Sequence, residues 1–342
     1  MVILAFVIMQ ILISAGSILS LLQGLMVPLC TYIILAVSLN LVVGILGELS
    51  LGHAGFMCVG AFTSAFFSKC TRDVIASDGL RFFLALLIGI VTAAIFGMLI
   101  GIPVLRLKGD YLAIVTLAFG EIIKNMVNVL YIGKDSKGFH VTTKDVMALN
   151  MDADGTVILN GPQGITGTPK NSTFVIGFIL ILLTLFIVQN LINSRDGRAI
   201  MAIRDNRIAA ESIGINITKY KLMAFTISAA MAGAAGVLYA HNISTLTANT
   251  NNFGYNMSIT ILVFVVLGGI GNIRGSIIAA VILTLLPELL RGMKDYRMLI
   301  YAIVLIVMML FNWSPKAIEW REKLNDWRKK HFSFGKKAKE VE

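Results

Sequence analysis

Three side chains that can share protons or hydrogen bonds with a passing solute lie close together in GELSLGHAGF, residues 47–56. They are Glu48, Ser50 and His53, interleaved with Gly47, Gly52 and Gly55. An acid can meet an ammonium group, and a hydroxyl or imidazole can hydrogen-bond a polar solute. One histidine and one glutamate five positions apart make a poor metal site. No nucleophile–base pair or metal-spaced cluster occurs elsewhere, so neither enzyme chemistry nor a metal is expected. The stretch separates two mostly apolar runs, 27–46 and 57–67. A charge at mid-membrane costs about 2.5–3.5 kcal/mol on insertion scales, so Glu48 must stand at a wet break or be paired. It can line a solute path or gate, or it can cap backbone N–H groups freed where a helix breaks. For His53, packing inside the protein competes with a solute contact. For Asn40, a hydrogen bond to a neighbouring helix does the same.

The elements that must position these residues are membrane helices. The 342-residue chain is 57% hydrophobic and only 14% charged, too little charge to cover a soluble surface. Residues 2–22, 27–46, 82–104, 172–194 and 222–256 contain no Asp, Glu, Lys or Arg, and runs of this length can cross about 30 Å of hydrocarbon as helices. The first run is long and has no Lys or Arg before it, unlike a cleavable signal. About ten crossings are expected, near 2–22, 27–46, 55–68, 81–102, 111–130, 173–193, 222–242, 257–270, 276–290 and 297–312. Those at 55–68, 257–270 and 276–290 are short enough to be half-helices. The fold class is an all-α polytopic membrane protein with broken or re-entrant helices.

Charge placement sets the orientation. The net charge of +10 is concentrated in loops rather than forming a nucleic-acid surface. Residues 195–221 carry six Lys/Arg against three acids, and the tail after Trp313 carries nine against five. The loop 131–172 is neutral, with four lysines and four aspartates. The basic segments are assigned to the cytoplasm with both termini, and 131–172 to the outside. The transmembrane domain is then 1–313 and the basic amphipathic tail 314–342. In the tail Trp313, Trp320 and Trp327 recur every seven residues, a spacing that predicts a helix on the membrane surface. Lys108 and Asp110 read as an interfacial pair. Glu121 and Lys124 flank or enter another short run. Cys30, Cys58 and Cys70, in or beside apolar runs, read as packing residues.

Two further stretches carry information. VLGGIGNIRGS, 266–276, interrupts an apolar run with Gly268, Gly269 and Gly271, and it echoes ILGELSLGHAG, 45–55. A glycine-broken helix in each half is the pattern of transporters with internal repeats, whose broken helices face the path near the membrane midplane. The candidate path residues are Asn40, Gly47, Glu48, Ser50, Gly52, His53, Gly268, Gly269 and Gly271. In 197–221, Asn206 can cap a short helix from Ile208 through Ala209 and Ala210, and Gly214 can end it in the left-handed conformation. Such a helix suits a groove on another protein, or is an ordinary surface helix. Small-residue rows at Gly97/Gly101, Ala229/Gly233 and Ala232/Gly236/Ala240 suit close helix packing.

The chain resembles the ABC-importer permeases for branched-chain amino acids, of the LivM type with the LivH type as paralogue. The resemblance rests on LAVSLNLVVGILGELSLGHAGFMCVGAF (35–62), GDYLAIVTLAFGEI (109–122), NGPQGITG (160–167), GRAIMAIRDNRIAAESIGINITKYKLMAF (197–225), AAMAGAAGVLYAH (229–241) and VLGGIGNIRGSIIAAVILTLLPELLR (266–291). It implies a type II ABC importer permease of about ten helices in the bacterial cytoplasmic membrane. The implied partners are a second, LivH-type permease, two ABC ATPase subunits that bind ATP and Mg, and an extracytoplasmic substrate-binding protein. Membrane lipid surrounds it and nucleic acid plays no part. It also implies that 197–221 is the ATPase-coupling segment. Ala209, Ala210 and Gly214 match the family's Glu-Ala-Ala…Gly pattern, with Ile208 where the Glu would stand. No GxxxxGK[S/T] occurs, so the chain has no phosphate-binding loop of that kind. Other readings are the same type of permease for urea, short amides, a nucleoside or a sugar, a secondary transporter without an ATPase, and, more distantly, a membrane enzyme.

Overall fold

A computed structural model describes residues 10, 20–72, 74–107, 109–152, 155–292 and 296–313. The expected first crossing at 2–22, Lys108 of the proposed interfacial pair, and the tail with Trp320 and Trp327 lie outside these residues, apart from Gln10 and the start of the helix at Ser20. The helices, in chain order, are α1 (Ser20–Asn40), which runs on as a π-helical turn over Leu41–Leu46, α2 (His53–Cys70), α3 (Asp78–Val104), α4 (Asp110–Val129), α5 (Phe174–Asn193), α6 (Arg195–Asp205), α7 (Arg207–Ser212), α8 (Ile217–Ala240), α9 (Thr250–Phe253), α10 (Tyr255–Gly268), α11 (Ile273–Leu289) and α12 (Arg297–Trp313). Among the described residues, six stretches are long and apolar enough to cross a membrane: Gln23–Leu46, Asp78–Val104, Asp110–Val129, Phe174–Asn193, Ile217–Ala240 and Thr250–Gly268. The three runs expected to be short are longer than their apolar cores. The first becomes an 18-residue helix, α2, about 27 Å long at 1.5 Å per residue. The second extends back through α9, and the third becomes the 17-residue α11.

Small residues decide how the bundle packs. Helix α8 is the hub, lying against α3, α2 and α1. A Cβ on Gly60 of α2 would lie 2.4 Å from the carbonyl oxygen of Gly233 on α8, and one on Gly233 would lie 2.4 Å from Cβ of Ala93 on α3. Three backbones therefore meet where only hydrogens fit. In lipid, helix association relies on such van der Waals contact because lipid tails are as apolar as leucine. Gly97 and Ala229, from two of the predicted small-residue rows, meet in the same α3–α8 seam. Helices α10 and α11 pack on each other and on the other side of α1.

The neutral segment 131–166 corrects the all-α expectation. It forms an antiparallel sheet, β1 (Tyr131–Asp135), β2 (Gly138–Thr142) and β3 (Thr156–Asn160), ordered β2-β1-β3. A short strand β4 (Ile165–Thr166) pairs with β5 (Thr245–Leu246), just after α8. Strands form here because the segment is short and rich in Val, Ile and Thr, and because Asp135 builds its own turn. Its Oδ1 accepts the backbone N–H groups of Lys137 (2.8 Å) and Gly138 (3.0 Å). The sheet sits on the end of α2, where Lys69 Nζ donates to the carbonyls of Val157 (2.9 Å) and Ile158 (3.3 Å).

Two predictions follow from packing and from this turn. Gly60→Val and Gly233→Val should each cost about 1–3 kcal/mol through overpacking and lower the detergent melting temperature. Gly79→Ala, with open space around it, should not. Asp135 is the pH-sensitive point of the sheet. Burial pulls its carboxyl upward, but the N–H groups of Lys137, Asp152 and Gly138 and the nearby His140 (2.9 Å) outweigh it and hold the pKa below the ordinary value. A lowered folded-state pKa contributes stability above the unfolded value, about 4, that is lost as pH falls through the folded one. Hydrogen exchange of the 137–142 amides, corrected for intrinsic rate, should therefore quicken on acidification through that window. Asp135→Asn should remove most of this pH dependence.

Candidate functional site

The helix break at 47–52 is built by backbone geometry first. After the π-turn, Gly47 takes φ 78°, and the N–H groups of Gly47 and Glu48 both return to the carbonyl of Val42. Residues 47–52 then run without regular structure until α2 begins at His53. Two donors freed by the break find hydroxyls on neighbouring helices. Leu51 N donates to Thr116 Oγ1 on α4 (3.0 Å), and Ala54 N to Ser258 Oγ on α10 (3.2 Å). Gly52 lies so close to α4 that a Cβ there would be 2.3 Å from the Thr116 carbonyl oxygen. These donors are thus taken by Thr116 and Ser258 rather than by Glu48.

The polar trio is engaged elsewhere. Glu48 Oε1 accepts a salt bridge from Lys221 Nζ on the first turns of α8, with side-chain exposures of only 14% and 5%. Removing one partner of so buried a pair costs on the order of 3–5 kcal/mol, because the other charge is left uncompensated. His53 Nε2 lies 2.7 Å from Ser38 Oγ, and its ring meets Phe56 edge-on. It is a satisfied packing residue. Ser50 is buried at 1% exposure, and its hydroxyl has no hydrogen-bond partner among the described residues. Cys30 and Cys58 are buried free thiols, and no metal-sized cluster of His, Cys, Asp or Glu occurs among the described residues.

The second glycine break lies beside the first. Gly268 closes α10, Gly269 and Gly271 take φ 93° and 80°, and α11 starts at Ile273 behind the Asn272 cap. Asn40 joins the two breaks. Its Oδ1 accepts Gly271 N (2.9 Å) and its Nδ2 donates to Ser276 Oγ (2.8 Å). A Cβ on Gly44 would lie 2.4 Å from Gly271 N. The echo seen between the two halves of the sequence is therefore a contact in space. Both breaks lie at the end of the bundle that carries 195–221, since Gly47 and Gly44 touch Arg204 there.

Residues 195–221 form the platform at that end. Asn206 Oδ1 accepts Ala209 N (3.1 Å) and starts α7, while Gly214 takes φ 84° after its end. The two alanines differ in exposure. Ala210 is buried with Ile203 and Ile217 in a small core of its own, whereas Ala209 is exposed. Ile208 and Ile213 are 81% and 75% exposed. Beneath the platform lies a cavity of about 340 Å³ lined by Leu46, Glu48, Asp110, Arg204, Arg207 and Lys221, among others.

Several site residues escaped the sequence reading. Lys221 and Arg204 counted only as loop charge. Thr116 and Ser258 sit in long apolar helices with no local signal of their role. Glu121 and Lys124, spaced for a helical ion pair, do form one. It faces inward, where Glu121 Oε1 accepts Tyr255 N (2.7 Å) and Lys124 Nζ donates to Thr250 Oγ1 (3.2 Å).

Comparison with known proteins adds the family. Residues 21–311 match the family described as the permease component of branched-chain amino acid transport systems. The chain is 35% identical over 322 residues to the high-affinity branched-chain amino acid transport system permease protein LivM of Salmonella typhimurium, covering 84% of this chain and 67% of that protein. To LivM of Escherichia coli it is 34% identical over 321 residues, with the same coverage. To the LivH permease protein of Escherichia coli it is 25% identical over 258 residues, 74% of this chain and 79% of that one. No solved structure matches. Its multi-pass helical bundle and these similarities agree: the chain is a membrane protein and belongs to the permease-component family of branched-chain amino acid transport systems.

Proposed function

We propose that this chain is the transmembrane subunit of an ATP-driven importer that moves branched-chain amino acids by alternating access. The observation that carries this is α7. It presents exposed Ile208 and Ala209 on a capped short helix, with exposed Ile213 just past its end, in an otherwise polar, basic loop. Large apolar side chains so exposed on a polar loop mark a protein contact. Their mounting on a separate small core of Ile203, Ala210 and Ile217 lets the loop move as one body. The partner on that surface is an ATPase subunit, which supplies the nucleotide site that the chain's sequence lacks. The kinship to both LivM and LivH supports a permease pair in which a LivH-type subunit stands opposite. In this arrangement 195–221 and both termini are cytoplasmic, about ten helices cross the membrane, and the 131–166 sheet faces the binding protein outside.

The solute is a zwitterion with an apolar tail, and it needs weak polar contacts beside apolar walls, since tight binding hinders release. The glycine-broken segments that meet at Asn40 are the candidate lining of such a path. Broken backbone is tolerated there because it is packed in protein or faces a wet cavity. Uptake of labelled leucine, isoleucine and valine into vesicles holding the full complex tests the reading. It should require ATP inside and the binding protein outside, and urea or nucleosides should not compete. Uptake without any ATPase would overturn it.

Substitutions on α7 separate docking from folding. Ile208→Asp and Ala209→Arg should weaken ATPase association by about tenfold or more, the loss expected at an interface anchor, and should lower uptake while the permease stays folded. Ala210→Arg, forced into the small core, should instead lower the stability of the permease itself. Gly214→Val meets no neighbour, but it is strained at φ 84° and should cost about 1–2 kcal/mol. Pull-down of the ATPase, uptake and detergent melting of each variant read these outcomes directly.

A further inference from the structure

We propose that Lys221 is a positioning residue. Its buried ion pair with Glu48, together with Arg204 on the Gly44 carbonyl, clamps the 195–221 platform to the broken end of α1. The inference rests on the importer reading, in which the platform is what an ATPase pushes. Three contacts make the clamp. Lys221 reaches Glu48, the second residue past the π-turn. Arg204 Nη1 donates to the carbonyl of Gly44 inside that turn (3.0 Å), while its Nε and Nη2 are held by Asp205 (3.0 and 2.9 Å). Gly47 lies flat against Arg204, since a Cβ there would be 2.5 Å from Cγ.

The platform side of the clamp is one body. Ile203 of α6, Ala210 of α7 and Ile217 of α8 share a core, with Arg204 and Lys221 just beyond its first and last members. The break side is equally tied, through Asn40, to Gly271 and Ser276 at the second break. A push on α7 therefore has a continuous route of packed side chains and directed bonds into both broken segments. The route crosses from platform to π-turn through two cations. A contact made by charges can carry a load and still release, because the pair borders a cavity of about 340 Å³ where water can solvate separated ions. Hydrophobic packing alone at this junction would slide. The ion pair supplies direction, and Gly47, at φ 78°, supplies the hinge.

The test uses the assembled transporter in lipid vesicles, with leucine uptake and ATP hydrolysis measured together. Lys221→Met and Glu48→Gln should each leave ATPase association intact and ATP hydrolysis active, while leucine moved per ATP falls by about tenfold, within the usual range of coupling energies. The exchanged pair, Glu48→Lys with Lys221→Glu, should recover most of the coupling. Leu49→Cys, in a background where Cys30, Cys58 and Cys70 are replaced, gives a readout independent of uptake. Its reaction with a water-soluble thiol reagent should change when the ATPase is trapped with nucleotide, and should not change when Lys221→Met is added. Unaltered leucine per ATP in both single variants overturns the clamp. So does loss of assembly in the singles that the exchange repairs without repairing coupling, because the pair is then merely structural. If a single variant fails to fold, Lys221→Arg and Glu48→Asp take its place, and coupling unchanged with either overturns the proposal. A wild-type complex whose Leu49→Cys signal responds to nucleotide but which moves no leucine overturns the substrate reading and leaves the clamp standing.

Discussion

Hydrocarbon offers no hydrogen-bond partner, so a backbone that leaves the helix inside a membrane must be satisfied by the protein itself. That constraint organises this structure more than any single contact. Where α1 gives way at Leu46, the next donors are taken by Val42 O, Thr116 Oγ1 and Ser258 Oγ. Where α10 gives way at Gly268, Asn40 and Asn272 take the donors of Gly271 and Gly275. Each break is thus satisfied partly by its own chain and partly by a neighbouring helix, through Thr116 and Ser258 at the first and Asn40 at the second.

Close approach follows from the same requirement. Hydroxyl and amide side chains are short, so they can serve a neighbour's backbone only when the helices nearly touch. The glycine contacts Gly60–Gly233, Gly52–Thr116 and Gly44–Gly271 create those distances. The stripes of small residues are therefore more than lipid-phase glue. They bring α4, α10 and α11 within hydrogen-bond reach of two irregular segments.

Within the apolar body, ions occur in pairs that fasten one element to another: Glu121–Lys124 on α4 holds the start of α10, and Glu48–Lys221 joins the first break to the 195–221 platform. The platform itself buries Ile203, Ala210 and Ile217 in a three-residue core and leaves Ile208 and Ile213 exposed. The two alanines of this short helix differ accordingly, Ala210 lying in that core and Ala209 exposed.

The sequence by itself determined the class, the helical body and the existence of two glycine breaks. These depend on local quantities: apolar length, absent charge, and backbone freedom at Gly47, Gly269 and Gly271. It also determined the Asn206-capped, Gly214-ended helix α7, because caps act over three or four residues. It did not disclose the sheet at 131–166, since short polar strands carry little periodicity and were read as a neutral loop. Only the tertiary structure decided the partners. Glu48 meets Lys221 across 173 positions, and Asn40 meets Gly271 and Ser276 across 231 and 236. Nothing near Glu48 in the chain distinguishes a gate residue from half of an ion pair. The difference lies in which helix folds against it, and that is set by the close packing of glycines far apart in sequence.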